Sequence, residues 1–213
     1  MALSVAARSE RGIALLHVLL LLIMVAAVSA GAALLARTGL LVADFHRSEQ
    51  DAAQGAQAVL AVALQDLDRT SDWNAVLSGT QQAGFADGPV SATRVFPGGA
   101  TLDVCCAAGS LTDRARAASG ISWRPFGWQS LRALLGVPEA PPHYVVAWVA
   151  DDADDPDSHP ETDANGRLLV RAESVAVPGA RRAVEALVER GPRDPATGAY
   201  PPGLKVLSWR EAQ

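Results

Sequence analysis

Lysine and cysteine are nearly missing from this 213-residue chain, and it contains no long basic run. Lys205 is the single lysine, and the formal net charge is −5. Because phosphate binding needs a cluster of positive side chains, this pattern argues against a nucleic-acid partner. The two cysteines, Cys105 and Cys106, are adjacent and so form neither a CxxC redox pair nor a four-ligand zinc site. We expect free thiols in a strand, with a strained vicinal disulfide as the alternative.

Recognisable catalytic motifs are missing as well. The sequence has no G-x-S-x-G elbow, no phosphate-binding glycine loop and no H-E-x-x-H, and its 4 histidines are scattered. We therefore predict a protein that is not an enzyme and that needs no organic cofactor. A hydrolase built from His143, Asp163 and a serine is the alternative that the sequence leaves open.

The most informative feature that is present is an apolar run from Ile13 to Leu35, which has no charged side chain except a potential imidazolium at His17. As a helix it would be about 35 Å long, enough to cross a hydrocarbon core about 30 Å thick. Arg8 and Arg11 precede the run, and a basic flank favours the cytoplasmic side of a membrane. The rest of the chain would then lie on the opposite side.

Two processing events fit this segment and give different mature proteins. In one, the run is the apolar region of an ordinary signal peptide, and cleavage after Val28-Ser29-Ala30 releases a soluble protein that starts at Gly31. In the other, cleavage removes only the short charged leader, residues 1–12, and leaves the apolar helix attached. The leader ends in Gly12, and the mature chain would begin at Ile13.

A helical pattern continues beyond the span, which a cleaved signal peptide does not require. No proline occurs as far as Asp68, and apolar residues recur at the spacing of one helical face. They are Phe45, Ala52, Ala56, Val59, Leu60, Ala63, Leu64 and Leu67. Gly55 weakens the pattern, and Glu49 falls on the apolar side. We predict one helix that spans the membrane over residues 13–35 and is amphipathic over residues 36–68.

Residues 69–213 are predicted to form a β-rich head domain, since glycine and proline break the helical pattern after Asp68. A hairpin is predicted from Val90–Phe96 and Ala100–Cys106 around Pro97-Gly98-Gly99. The clearest other strands are Tyr144–Val149, Arg167–Val177, Arg182–Glu189 and Lys205–Trp209, with a helix as the alternative for the third. The five tryptophans are expected to be core or interface anchors.

Residues 109–136 read as an irregular excursion with a short helix from Gln129 to Leu135. The expected fold is α+β, with the long N-terminal helix packed on an antiparallel sheet that has one buried face.

The loop over residues 151–166 is rich in aspartate, and carboxylate oxygens are the ligands that calcium prefers. The candidate calcium ligands are Asp152, Asp154, Asp163 and Asn165. The spacing does not fit an EF-hand, because the sixth position counted from Asp152 is Asp157 rather than glycine, and the twelfth is Asp163 rather than glutamate. A solvated acidic loop without a metal is the alternative.

The leader that ends in Gly12, directly before Ile13-Ala14-Leu15-Leu16, resembles the class III signal of type IV prepilins. Several segments of the head are similar in order to features of PilX-type minor pilins: Asp72–Leu77, Tyr144–Val149, Asn165-Gly166 and Leu168–Glu173. The resemblance implies that a membrane peptidase, the prepilin peptidase, cuts after Gly12 and methylates Ile13. It also implies that the chain joins other pilins through its N-terminal helix.

One position departs from that family. Major pilins carry a glutamate at the fifth position of the mature helix, where it pairs with the neighbouring subunit's amino terminus, whereas this chain has His17. An imidazole supplies no negative charge. The resemblance therefore implies a minor subunit of a type IV pilus, at the tip or in a priming complex.

Such a subunit would be anchored in the inner membrane with its head in the periplasm. A pseudopilin of a type II secretion system is the alternative within the same class. A periplasmic binding protein that starts at Gly31 is the alternative outside it.

Overall fold

The structure is a computed structural model, and it describes residues 6–96, 101–119, 121–176, 180–197 and 200–212. The fold is α+β. Its helices are α1 (Ala6–Arg69), α2 (Trp73–Leu77), α3 (Val104–Ser119) and α4 (Leu131–Leu135). Its strands are β1 (Thr93–Val95), β2 (Thr101–Asp103), β3 (Arg124–Ser130), β4 (Tyr144–Asp151), β5 (Arg167–Val175), β6 (Arg181–Arg190) and β7 (Leu204–Ala212). The chain divides into two compact units, Met1–Arg47 and Ser48–Gln213.

The predicted long helix is confirmed as α1, which ends at Arg69, one position beyond the expected end. It starts at Ala6 rather than at Ile13, so seven positions of the predicted leader are helical. Alanine, arginine and glutamate between residues 6 and 11 are good helix formers, which explains the extension. Residues 1–5 of the leader lie outside the described part of the chain.

In the first unit, the apolar side chains of α1 are exposed in every direction. Leu21 and Leu41 are each 63% exposed, and Phe45 is 60% exposed. The exposed apolar stretch therefore continues past Leu35, where the predicted span ended. Phe45 does not join the buried face predicted for it.

In the second unit, five strands form one antiparallel sheet in the order β3-β4-β5-β6-β7. Four of these strands were predicted. β6 is a strand and not the alternative helix, because Val184, Ala186 and Val188 alternate toward the core. Position 177, the predicted end of β5, lies outside the described residues.

One face of the sheet packs against the C-terminal part of α1, within the second unit. The shared core contains Ala56, Val59, Ala63 and Leu67 of the helix and Val145, Ala147, Val149, Val170, Ala172 and Ala186 of the sheet. Gly55 explains the close approach, because a Cβ at that position would lie 2.6 Å from the Ser174 hydroxyl oxygen. Glu49, the charged residue on the apolar side, forms an ion pair with Arg182 of β6.

The prediction of a single buried face is wrong, because helix α3 covers the opposite face over β3 and β4. Val104, Ala108 and Leu111 of α3 share a second core with Trp128 and Trp148. β4 is consequently buried along its whole length. A strand with both faces covered is expected to be apolar at every position rather than at alternate ones.

Over β5, β6 and β7, ion pairs occupy the face opposite α1. Arg171 donates from Nη1 to Glu185 at 2.6 Å, and Arg210 binds the other oxygen of Glu185 at 2.6 Å. Glu173, whose side chain is fully buried, pairs with Arg171 at 3.8 Å and with Arg181. Pairing of this kind offsets the desolvation cost of buried charge.

The predicted hairpin is present but short, since β1 and β2 pair antiparallel over three positions each. Its turn, residues 97–100, lies outside the described residues. The second arm does not continue to Cys106, because the chain turns into α3 at Val104. Cys105 and Cys106 are therefore helical residues, not strand residues as predicted.

The irregular excursion predicted for residues 109–136 is also wrong, since that segment contains the rest of α3, β3 and α4. Pro125 is tolerated because β3 is an edge strand and because its register shifts between Pro125 and Gly127. A Cβ at Gly127 would lie 2.3 Å from the Phe85 ring, so glycine is required there. The predicted short helix is confirmed as α4, which Ser130 caps by accepting from the Ala133 N–H at 3.3 Å.

Four of the five tryptophans are core residues, as expected. Trp73, Trp128 and Trp148 are at most 1% exposed and Trp123 is 6% exposed. Trp209 of the edge strand β7 is 49% exposed and does not anchor the core.

Candidate functional site

The N-terminal part of α1 is the first candidate site. Within the described residues, α1 is the one helix long and apolar enough to cross a membrane. Gly12 and Ile13, the predicted processing positions, lie inside this helix. Gly31 has open space around it, since a Cβ added there would meet no atom within 4 Å. This surface can accept another helix in an apolar medium.

His17 lies on the exposed surface of the same helix. Its Nδ1 is 2.8 Å from the carbonyl oxygen of Ile13, four residues earlier. The imidazole therefore has a partner in its own backbone.

The acidic loop between β4 and β5 is the second candidate site. Of its four predicted ligands, Asp152 and Asn165 are hydrogen-bonded to each other, and Asn165 and Asp163 accept from the same N–H, that of Arg167. Asp152, which is 8% exposed, accepts a hydrogen bond from Nδ2 of Asn165 at 2.8 Å. Oδ1 of Asn165 accepts from the Arg167 N–H at 2.8 Å, which fixes the amide. Asp154 is exposed.

Asp163, the remaining predicted ligand, forms an ion pair with an arginine of β6. Its Oδ2 pairs with Arg190 at 2.5 Å, and its Oδ1 accepts from the Gly166 N–H at 2.6 Å. Burial raises the pKa of Asp163, and the positive charge of Arg190 opposes that rise. The Arg190 guanidinium also lies 4.3 Å from the Trp73 ring and 3.7 Å from the Tyr200 ring. Asp163 therefore links the C-terminal end of the loop to Arg190 of β6.

Three other carboxylates of the loop do converge. One oxygen from each of Asp151, Asp155 and Asp157 lies within 4.8 Å of the others. Burial, followed by the charges of Asp155 and Asp152, raises the pKa of Asp151 to about 7. Sequence reasoning missed this group because Asp151 belongs to the end of β4. A sequence signal was available, since Asp151 stands at the end of an unbroken apolar run over residues 144–150.

The histidine proposed for the alternative hydrolase contacts a buried serine and not Asp163. His143 is 5% exposed, and its Nδ1 lies 3.2 Å from the Ser174 hydroxyl oxygen. Ser174 is fully buried under Gly55 of α1, and Asp163 faces Arg190 instead. Burial lowers the pKa of His143, and the nearby charge of Asp51 opposes that shift. The His143–Ser174 pair is a core hydrogen bond.

The two cysteines are exposed on α3, with their sulfur atoms 3.5 Å apart. They are free thiols, as predicted, and the vicinal disulfide is not formed.

Comparisons with known proteins add no relative. No protein family, curated protein or solved structure matches the chain at a significant level.

Proposed function

We propose that this chain is a minor pilin-like subunit of a type IV pilus, with a structural and assembly role rather than an enzymatic one. The observation that carries the proposal is the division of α1. Its first part is apolar and exposed on all sides as far as Phe45, whereas its last part belongs to the core of the β-sheet unit. A helix of this kind suits a subunit that is held by its apolar part and displays a folded head.

The apolar part would lie in the inner membrane before assembly and would pack against the helices of other subunits afterwards. Both surroundings are apolar, so transfer between them costs little free energy. The small-residue pairs Ala26/Ala30 and Ala27/Gly31 recur at a spacing of four and permit close helix contact. The partners are therefore other pilins, with the prepilin peptidase acting on the bond after Gly12.

His17 supports a tip or priming position. A subunit inside the filament would need an anionic group to pair with its neighbour's amino terminus, and His17 is bonded to its own backbone instead. A subunit at the tip has no neighbour above it and does not need that group.

The helix alone fits two other functions. A type II secretion pseudopilin would have the same anchor. Such a pseudopilin would be found in secretion complexes, whereas a pilus subunit would be found in sheared pili. A cleaved signal sequence near the N-terminus also satisfies the length and composition of a span, and it would release a periplasmic protein.

The processing site separates the proposal from the released protein. We would measure the mass of the mature N-terminus of the full chain in its host, together with Gly12→Leu and Ala30→Leu. The proposal predicts a methylated Ile13 for the unchanged chain and for Ala30→Leu, and an uncut leader for Gly12→Leu.

A mature chain that starts at Gly31 would contradict the proposal, if Ala30→Leu prevents that cleavage and Gly12→Leu does not. Both substitutions lie in the Met1–Arg47 unit, outside the head. The head should therefore unfold at the same temperature in all three proteins, which controls for misfolding.

A further inference from the structure

We propose that the loop after β4 binds a calcium ion through Asp151, Asp155 and Asp157. The three carboxylates each place an oxygen within 4.8 Å of the others. Oxygens that are no more than 4.8 Å apart can all reach one ion bound at about 2.4 Å, a distance typical of calcium–oxygen bonds. Magnesium gives up its water reluctantly and is usually held by one or two carboxylates, so a group of three carboxylates favours calcium.

A buried carboxylate oxygen that has no hydrogen-bond donor among the described residues supports the site independently of the clustering. It belongs to Asp151, whose carboxylate is also hydrogen-bonded by the backbone N–H of Asp152. Asp151 is 7% exposed, and within the described residues no hydrogen-bond donor reaches its buried Oδ1. A buried carboxylate oxygen without a partner is costly, and a cation supplies the missing interaction.

The charges of the head make this group unusual. Asp151 and Asp155 of the group are buried, and Asp157 is exposed. Elsewhere in the head, three acids with buried side chains have an arginine partner: Asp163 has Arg190, and Glu173 and Glu185 share Arg171. Among the ion pairs of the described residues, none involves the three carboxylates of the cluster. A bound cation would balance this uncompensated negative charge.

The site also has room for water ligands. Asp151 and Asp155 line a cavity of about 190 Å³, which Asp152 and Ser158 also line. Water occupies about 30 Å³ per molecule in the liquid, so several molecules fit and can complete a shell of six to eight oxygens.

The loop holds two of the ligands in place. Oδ1 of Asp155 accepts from the Asp157 N–H at 3.0 Å, and its Oδ2 accepts from the Ala164 N–H at 2.9 Å. Asp157 accepts from the Thr162 hydroxyl at 2.6 Å. Oδ2 of Asp155 also accepts from the Asn165 N–H at 3.3 Å, so the lone pair that Asp155 keeps for a cation is on Oδ1. Each oxygen of Asp157 accepts one hydrogen bond, Oδ1 from the His159 N–H at 2.8 Å, and keeps its second lone pair.

Thermal unfolding of the full chain in detergent tests the proposal, with calcium chloride at about 1 mM compared with a chelator. Calcium should raise the melting temperature, since it binds only the folded loop. Magnesium at the same concentration should raise it less. Asp151→Asn should melt higher than the unchanged chain in chelator, because it removes an unpaired buried charge, and it should lose the calcium effect.

Asp154→Asn is the matched control, because this exposed residue of the same loop lies outside the cluster. It should keep the calcium-dependent rise. In calorimetric titration with calcium chloride, Asp151→Asn should weaken binding at least about tenfold and Asp154→Asn should not. The proposal is overturned if calcium has no effect, if magnesium acts equally, or if the two variants respond alike. None of these outcomes bears on leader processing.

Discussion

The two parts of α1 contain similar apolar residues but place them in opposite surroundings. From Ile13 to Phe45 the apolar side chains are exposed, whereas Ala52 to Leu67 contributes a buried stripe to the head. The difference is one of pattern: an all-round apolar surface has no polar face to turn toward water, and a stripe has one. The apolar surface of the first part stays exposed, whereas the stripe of the second part packs against the sheet.

The largest expected difference in stability is between alanine substitutions of two leucines, one in each part of α1. Leu67→Ala removes a fully buried side chain and should lower the free energy of unfolding of the head by about 2–5 kcal/mol. Leu41→Ala removes a side chain that is 63% exposed and should change it by less than about 0.5 kcal/mol. Denaturant unfolding followed by tryptophan fluorescence measures both. Equal losses of unfolding free energy in the two variants would contradict the distinction between the two parts of α1.

A pair of glycines gives the next largest effect. Gly55→Leu would force a side chain into the sheet at Ser174 and should destabilise the head by about 1–3 kcal/mol. Gly39→Leu enters open space, since no atom lies within 4 Å, and should leave the head unchanged. The same unfolding measurement applies. A destabilised Gly39→Leu would show that this part of α1 packs against the chain itself.

The smallest effect is a pH dependence centred on His143. Burial lowers the pKa of His143, so the unfolded chain takes up a proton at a higher pH than the folded chain does. Its contribution to stability is therefore complete above about pH 6.5 and is lost as the pH falls toward the lowered folded value.

His143→Gln should accordingly reduce the loss of unfolding free energy between about pH 7 and pH 5. His17→Gln, in the exposed part of α1, is the control and should reproduce the pH dependence of the unchanged chain. A His143→Gln protein with that same dependence would show that another group controls it.

Sequence periodicity predicted the parts of the fold in which one pattern dominates. α1 followed from an apolar run joined to a helical stripe, and β5 and β6 followed from alternation at residues such as Val170 and Ala186. Glu49, which interrupts the stripe, forms an ion pair with Arg182 of β6. Local periodicity does not predict this partner, because Arg182 is distant in sequence.

The elements that were missed depend on tertiary context. α3 has only a narrow apolar stripe, formed by Val104, Ala108 and Leu111. Glycine and two adjacent cysteines in the same segment obscure its helical periodicity. β3 contains Pro125 and Gly127, which are tolerated only because the strand lies at an edge and passes beside Phe85. Sequence alone does not reveal which strand is an edge.

The acidic loop shows the same limit. Its composition predicted a cation site, but aspartate spacing did not distinguish ligands from structural residues. Asp163 is committed to Arg190 on β6, a residue distant in sequence. Asp151 becomes a candidate ligand through its burial at the end of β4 rather than through its place in a motif.

The most direct test of the division of α1 is to produce residues 48–213 behind a cleavable signal peptide and to compare them with the full chain. We expect the shortened protein to be soluble in the periplasm and to melt within about 2 °C of the full chain, whereas the full chain stays with the membrane. A shortened protein that is unfolded, or that remains bound to the membrane, would contradict the division.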